Sequence, residues 1–265
     1  MSQKHFDFWP RALPRNITAP ATHLFYNAEV AATRYPDKPF VICYGSSLTF
    51  GTFRDEAERM AGYLQRECGV CRGDRVLLQM QNSPQFIIAY YAIRRADAIV
   101  VPISPMSVTT ELEHDLSDSG AKTAIVAQEV YPQLRPLVER MLDHVIVAAY
   151  SDYVHEPTDL RVPEAITAPR APVTDAKVSA WMDVLAKQLR PGPITTGPGD
   201  VCVIPYSSGT TGRPKGCMLT HANVMHTLVA NRLWFGATAE SAQLVGLPFF
   251  HVTSMQGGMN GPLYD

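Results

Sequence analysis

From residue 74 to residue 150 short β-branched runs alternate with amphipathic stretches, and few architectures accommodate that alternation. DRVLLQM predicts a strand, Pro84 to Arg95 a helix, AIVVPI a strand, and Glu111 to Ser119 a helix that Gly120 ends. TAIVA then predicts a strand, Tyr131 to Leu142 a helix and HVIVAAY a further strand. Helices of about ten residues between short strands are right-handed βαβ units, because a parallel partner is reached only through such a crossover. The chain is therefore expected to be α/β, with a parallel or mixed sheet flanked by helices.

The flanking sequence fills in the organisation. Residues 1–21, with Trp9, Pro10, Pro14 and Pro20, read as an extended arm. Thr22 is placed to cap a helix whose apolar face is Leu24, Phe25, Ala28, Ala31, Ala32 and Tyr35, ended by Pro36. PFVICY and SLTF around Gly45-Ser46 predict a hairpin, and Thr52 precedes a helix carrying Phe53, Ala57, Met60, Ala61 and Leu64 that stops at Gly69. Proline recurs through 151–174 and 190–199, which predicts surface connections around one helix bearing Val178, Trp181, Met182, Leu185 and Leu189. These boundaries divide the chain into the arm, a first α/β subdomain over 22–199 and a second unit over 200–265.

Composition excludes several classes. A 46% hydrophobic and 18% charged chain is too apolar for intrinsic disorder. The longest apolar stretch, Phe86 to Ile103, is broken by Arg94, Arg95 and Asp97, which argues against a membrane span. The formal charge of -2 gives no global footprint for nucleic acid or an anionic membrane, so any anion site must be local. Five cysteines, at 43, 68, 71, 202 and 217, are odd in number and sparse, and MSQKHFDFWPRALPRN has no apolar leader. A reducing, cytoplasmic setting is expected, with Cys68-Gly-Val-Cys71 as a turn rather than a metal or redox motif.

The chemistry concentrates in DVCVIPYSSGTTGRPKGCMLTHAN, residues 200–223. VCVIPY predicts a strand entering a loop of Ser207, Ser208, Gly209, Thr210, Thr211, Gly212, Lys215 and Gly216, and CMLT a strand returning before Thr220 caps a helix. Hydroxyls and glycines let N–H and O–H donors converge on an anion, and a lysine adds a positive charge, so the loop is suited to phosphate. The adjacent Gly-Lys-Ser/Thr ending of a P-loop is missing. A plain flexible linker would not specify ten residues including Pro214-Lys215-Gly216.

YSSGTTGRPKG with MLTHAN resembles the phosphate-loop signature of the AMP-forming adenylating superfamily, which includes acyl-CoA synthetases, peptide-synthetase adenylation domains and luciferases. LPFFHV, Leu247 to Val252, resembles that family's LPxFH motif, with Ser254 where the family has glycine. The segment from Gln81 to Val126, with its acidic-Leu-x-His helix ending in Asp-Ser-Gly-Ala, resembles the family's early region. The resemblance covers about residue 22 to the end and implies the N-terminal part of an acyl-CoA-synthetase-like large domain.

It also implies a two-step reaction: a carboxylate attacks the α-phosphorus of MgATP to give an acyl-adenylate, and a thiol, usually that of coenzyme A, takes the acyl group. Ser207, Ser208, Gly209, Thr210, Thr211, Gly212 and Lys215 are then expected to grip the β- and γ-phosphates. His251 is expected beside the substrate carboxylate, with Phe249, Phe250, Val252 and Met255 as an apolar wall. LPFFHVTSMQGGMNGPLYD looks most like bacterial medium- or long-chain fatty-acyl-CoA synthetases, so the expected partner is a fatty acid. No protein ligand for Mg²⁺ is assigned.

Nothing in the chain resembles the family's YGxTE, TGD or PK(T/S)xxGK segments. The expectation is the N-terminal part of a larger enzyme, inactive by itself, whose uncovered apolar surface and strand edges would favour self-association. Two alternatives stand beside it: a noncatalytic binding or interaction module, and a fragment of an aryl-CoA ligase. Other polar groups read as structural. Arg94-Arg95 and the Glu111, Glu113, Asp115, Asp118 cluster read as solvated helix faces, His221 as structural, and Tyr153, His155 and Glu156 as forming no constellation.

Overall fold

The computed structural model describes residues 4–207 and 213–264. After a 3-10 turn over Lys4–Phe8, helix α1 (Phe25–Arg34) precedes an antiparallel hairpin of β1 (Pro39–Cys43) and β2 (Ser46–Thr49). Helix α2 (Phe50–Arg66) leads into the alternating region. This comprises β3 (Arg75–Gln79), α3 (Pro84–Arg95), β4 (Ile99–Ile103), α4 (Thr109–Ser119), β5 (Thr123–Ala127), α5 (Tyr131–Met141) and β6 (His144–Ala148). The short α6 (Glu164–Thr167), β7 (Val178–Ala180) and α7 (Trp181–Ala186) follow, then β8 (Val201–Val203), β9 (Leu219–Thr220) and α8 (His221–Phe235). The described chain ends with α9 (Val252–Ser254), a π-helical turn over Met255–Asn260 and α10 (Gly261–Tyr264).

One seven-stranded sheet has the order β7-β6-β5-β3-β4-β8-β9, all parallel except for the antiparallel β8–β9 pair. It is the mixed, helix-flanked α/β sheet expected. β8 joins β4 through Val100 and Val203, so residues on both sides of position 200 share this sheet. Helix α3 is buried along nearly its whole length, from Pro84 to Arg94, which accounts for the long apolar stretch without any lipid. Among the described residues no helix is long and apolar enough to cross a membrane.

Several local expectations change. α1 begins at Phe25, and the buried Thr22 hydroxyl has no partner among the described residues. Two imidazoles cap the helix instead: His23 Nδ1 accepts from Phe25 N–H at 3.0 Å and His221 Nδ1 from Leu24 N–H at 3.2 Å, with ring centroids 4.0 Å apart. α2 begins at Phe50, ahead of Thr52, and Thr49 caps it, its hydroxyl accepting from Thr52 N–H at 3.2 Å. Val178 to Ala180 form an edge strand on β6, so the helix expected through Val178 is confined to Trp181–Ala186.

Arg94 and Arg95 are not a solvated face. Arg94 is fully buried, its guanidinium 3.4 Å over the centre of the Tyr90 ring and beside the Cys202 thiol. Burial pulls its pKa down to about 10, with the neighbouring Cys202 thiol opposing the shift. Arg95 pairs with Glu58 at 3.5 Å and donates to Gly192 O at 2.8 Å. Tyr153 also has a place: its hydroxyl donates to Glu56 Oε2 at 2.6 Å and accepts from Trp181 Nε1 at 3.1 Å, joining α2 to α7.

Candidate functional site

The site is built on the hairpin that β8 and β9 begin. Beyond Val203, Cys217 N–H donates to Pro205 O at 2.9 Å, Tyr206 bridges Gly216, and Ser207 N–H donates to Lys215 O at 3.0 Å. Lys215 N–H returns a 3.4 Å bond to Ser207 Oγ. The two arms therefore bring Ser207 and Lys215 face to face, as a strand-loop-strand reading requires. Both residues are exposed, and the Lys215 ammonium makes no ion pair with a described residue. Ser208, Gly209, Thr210, Thr211 and Gly212 lie outside the described residues.

Gly216 is demanded by close approach: a Cβ there would sit 2.6 Å from Ile204 Cγ2, across the hairpin. At the base, Asp200 accepts from Gly197 N–H at 2.6 Å and from Arg72 at 3.0 Å, contacts that hold its carboxyl below the usual range. Thr220 caps α8 as expected, accepting from Asn223 N–H at 3.2 Å while its own N–H donates to Asn223 Oδ1 at 3.0 Å. His221 serves the α1 cap, which is a structural role.

Helix α4 holds both arms. Tyr206 Oη donates to Asp118 Oδ2 at 2.7 Å on the outgoing arm, and His114 Nε2 lies 3.3 Å from Pro214 O on the returning one. The second contact is a hydrogen bond when His114 carries its proton on Nε2. Burial, then Asp118, pushes the Tyr206 phenol up. Asp115 is buried and its carboxyl is raised to about 6, chiefly by burial, with His114 opposing and Glu111 and Asp118 reinforcing. The acidic cluster is therefore not a uniformly solvated face. Glu111 caps Val108 N–H at 3.0 Å and Glu113 pairs with Arg140 at 3.2 Å. The signal that could have exposed His114 and Asp118 is their i,i+4 spacing, which puts both on one side of the helix.

His251 lies on a different segment. Its imidazole is exposed, and its Nδ1 accepts from Thr253 N–H at 3.4 Å at the start of α9. Asn82 fixes the preceding turn by donating to Leu247 O at 2.8 Å and accepting from Phe249 N–H at 2.7 Å. Phe249 packs on Phe86 with centroids 5.6 Å apart, and Met255 is fully buried, whereas Val252 is exposed. No bond between described residues joins His251 to the hairpin. Two cavities, of about 170 Å³ beside Glu56 and Tyr153 and about 190 Å³ beside Cys68 and Asp74, include none of the expected site residues in their linings. Among the described residues no group of three or more His, Cys, Asp or Glu could hold a metal ion.

Residues 28–265 match the model of the AMP-binding enzyme family. The chain is 30% identical over 262 residues to a long-chain-fatty-acid–CoA ligase of Bacillus subtilis, covering 95% of this chain and 46% of that protein. It is 31% identical over 218 residues to 4-coumarate–CoA ligase 1 of rice, covering 80% of this chain and 36% of that protein. The crystal structure of a long-chain-fatty-acid–CoA ligase from Archaeoglobus fulgidus superposes with a TM-score of 0.77 at 25% identity, over 96% of this chain and 48% of that one. The chain thus spans about half, or less, of the length of these relatives.

Proposed function

The chain belongs to the AMP-binding enzyme family, and on that premise we propose that it supplies the phosphate-gripping half of an ATP-dependent, AMP-forming carboxylic acid:CoA ligase. The observation that carries this reading is the hairpin. It sets Ser207 against Lys215, leaves both exposed, and anchors both arms on α4 at Asp118 and His114.

The first half-reaction breaks the bond between the α- and β-phosphates, and negative charge accumulates on the departing pyrophosphate. Donors fixed in advance stabilise that charge more than mobile water does. In this reading Ser207, Ser208, Gly209, Thr210, Thr211 and Gly212 supply N–H and O–H donors, and Lys215 supplies a compact positive charge. Exposed hydroxyl and ammonium groups on facing arms fit a phosphate chain. Mg²⁺, which such a chain carries, would add charge neutralisation. His251, exposed at the start of α9, is assigned to the region of the acyl carboxylate.

A fatty acid is the proposed acyl substrate, on the strength of the ligase relatives, and coenzyme A the acceptor. An aromatic acid is the second reading, favoured by the 4-coumarate–CoA ligase match. A cytoplasmic location is proposed with it, supported by five cysteines that are all unpaired. ATP–pyrophosphate exchange by the full-length gene product across a panel of alkyl and aryl acids tests all of this at once. Exchange with none of the acids would overturn the ligase reading, and exchange with aryl acids alone would replace the fatty acid.

A further inference from the structure

The cavity of about 170 Å³ beside Glu56 and Tyr153 lies where β2, α2, α7 and residues 152–155 meet. None of its lining residues belongs to the β8–β9 hairpin or to the His251 segment, so what it binds is independent of the ligase reading. Its polar end is fixed in advance. Glu56 Oε2 accepts from Tyr153 Oη at 2.6 Å, and Tyr153 Oη accepts from the buried Trp181 Nε1 at 3.1 Å. Burial, then Glu56, hold the phenol well above its ordinary value, so it keeps its proton and remains a donor.

This relay orients the Glu56 carboxyl but brings it no positive charge. No described cation forms an ion pair with Glu56: Arg59, one turn further along α2, is held by Asp55 at 2.6 Å. Burial pushes the Glu56 carboxyl up, against the Tyr153 hydrogen bond and the Arg59 charge. The other charged groups in the lining are already matched, Asp152 by Arg170 and the exposed His155 by Glu156 at 4.0 Å. A carboxyl left without a counter-charge in a cavity is suited to a cation.

The remaining lining defines which cation. Leu48, Pro84 and Met182 form an apolar wall, which suits a short alkyl chain rather than a hydrated metal ion. A cavity of about 150 Å³ takes a guest the size of benzene, so about six heavy atoms fit. We infer that this cavity binds a small alkylammonium ion, with the nitrogen on Glu56 and the chain against Leu48, Pro84 and Met182.

The probe is n-butylammonium, with n-butanol as its uncharged counterpart, titrated into the isotope-labelled 265-residue protein and followed by NMR. The indole N–H of Trp181 reports the cavity, because it donates to the hydroxyl that holds Glu56; the indoles of Trp9 and Trp234 serve as controls. Butylammonium is expected to shift the Trp181 signal saturably and leave the other two in place, while butanol shifts none. Glu56→Gln keeps an acceptor for Tyr153 but loses the charge, and should weaken binding about ten- to hundred-fold, the worth of one charge-assisted hydrogen bond. Ser47→Tyr, at an exposed strand position in the lining, should obstruct entry and weaken binding without removing any charge. The inference is overturned by the absence of a saturable Trp181 shift, by an equal shift with butanol, or by unchanged affinity in either Glu56→Gln or Ser47→Tyr.

Discussion

The imidazole cap on α1 makes stability depend on pH. His23 Nδ1 and His221 Nδ1 each accept a backbone N–H, and an imidazolium has no acceptor to offer. Burial is the largest cause that pulls His23 down to about 4; burial, then His23 and Arg94, pull His221 down to about 2, from the ordinary 6.5. Both rings stay neutral in the fold while the unfolded chain takes up protons as pH falls through 6.5. The contribution is whole above that pH and shrinks steadily below it. At about pH 5 each histidine costs about 2 kcal/mol relative to neutrality. Asp115 acts in the opposite sense, because its raised carboxyl binds a proton more readily in the fold and recovers about 1 to 2 kcal/mol by the same pH. The histidine contribution is isolated with His221→Asn, whose amide oxygen can accept from Leu24 N–H but does not titrate. Urea unfolding followed by fluorescence should show the wild-type advantage over this variant narrowing by about 2 kcal/mol between about pH 7.5 and about pH 5. A gap that stays constant across that range would refute the cap assignment.

Three further outcomes follow from the site. Gly216→Ala should destabilise the protein by about 1 to 3 kcal/mol, since the added methyl meets Ile204 Cγ2 at 2.6 Å; an unchanged urea midpoint would contradict that approach. Under the proposed ligase function Thr211→Val should slow pyrophosphate exchange by about 2 to 4 kcal/mol of barrier with little change in acid binding, and normal exchange kinetics would remove Thr211 from the grip. His251→Ala should impair the first half-reaction by far more than the small loss of stability expected from removing the acceptor of Thr253 N–H at the start of α9. Normal turnover per folded molecule would take His251 out of the acyl site.

What could be read in advance was local. α3 runs from Pro84 to Arg95 as expected because Ser83 and Pro84 start it chemically and its apolar residues leave it no solvated alternative. Gly120 ends α4 in the left-handed region at φ 66°, and Thr220 starts α8 with its own hydroxyl. The errors arise where a distant partner decides. Val178 shares helical spacing with Trp181, Met182 and Leu185, yet pairing with Val145 draws it into a strand. Arg94 looked solvated because its burial depends on stacking over Tyr90 within a crowded core. For the candidate site, the hairpin was legible from its two short strands. Its attachment to α4 was not, because Tyr206–Asp118 and His114–Pro214 join residues about ninety to one hundred positions apart.

The pairing of β8 with β4 carries a kinetic consequence. Val100 and Val203 lie 103 positions apart, whereas β3, β4, β5 and β6 are joined by single helical crossovers. Contacts of low sequence separation close with less loss of chain entropy and are favoured first. The β4-β3-β5-β6 region can therefore assemble as a nucleus before residues 201–220 arrive at its free edge. The hairpin then docks against a surface already in place, and the edge of β4 stays open to wrong pairing while the nascent chain waits for it.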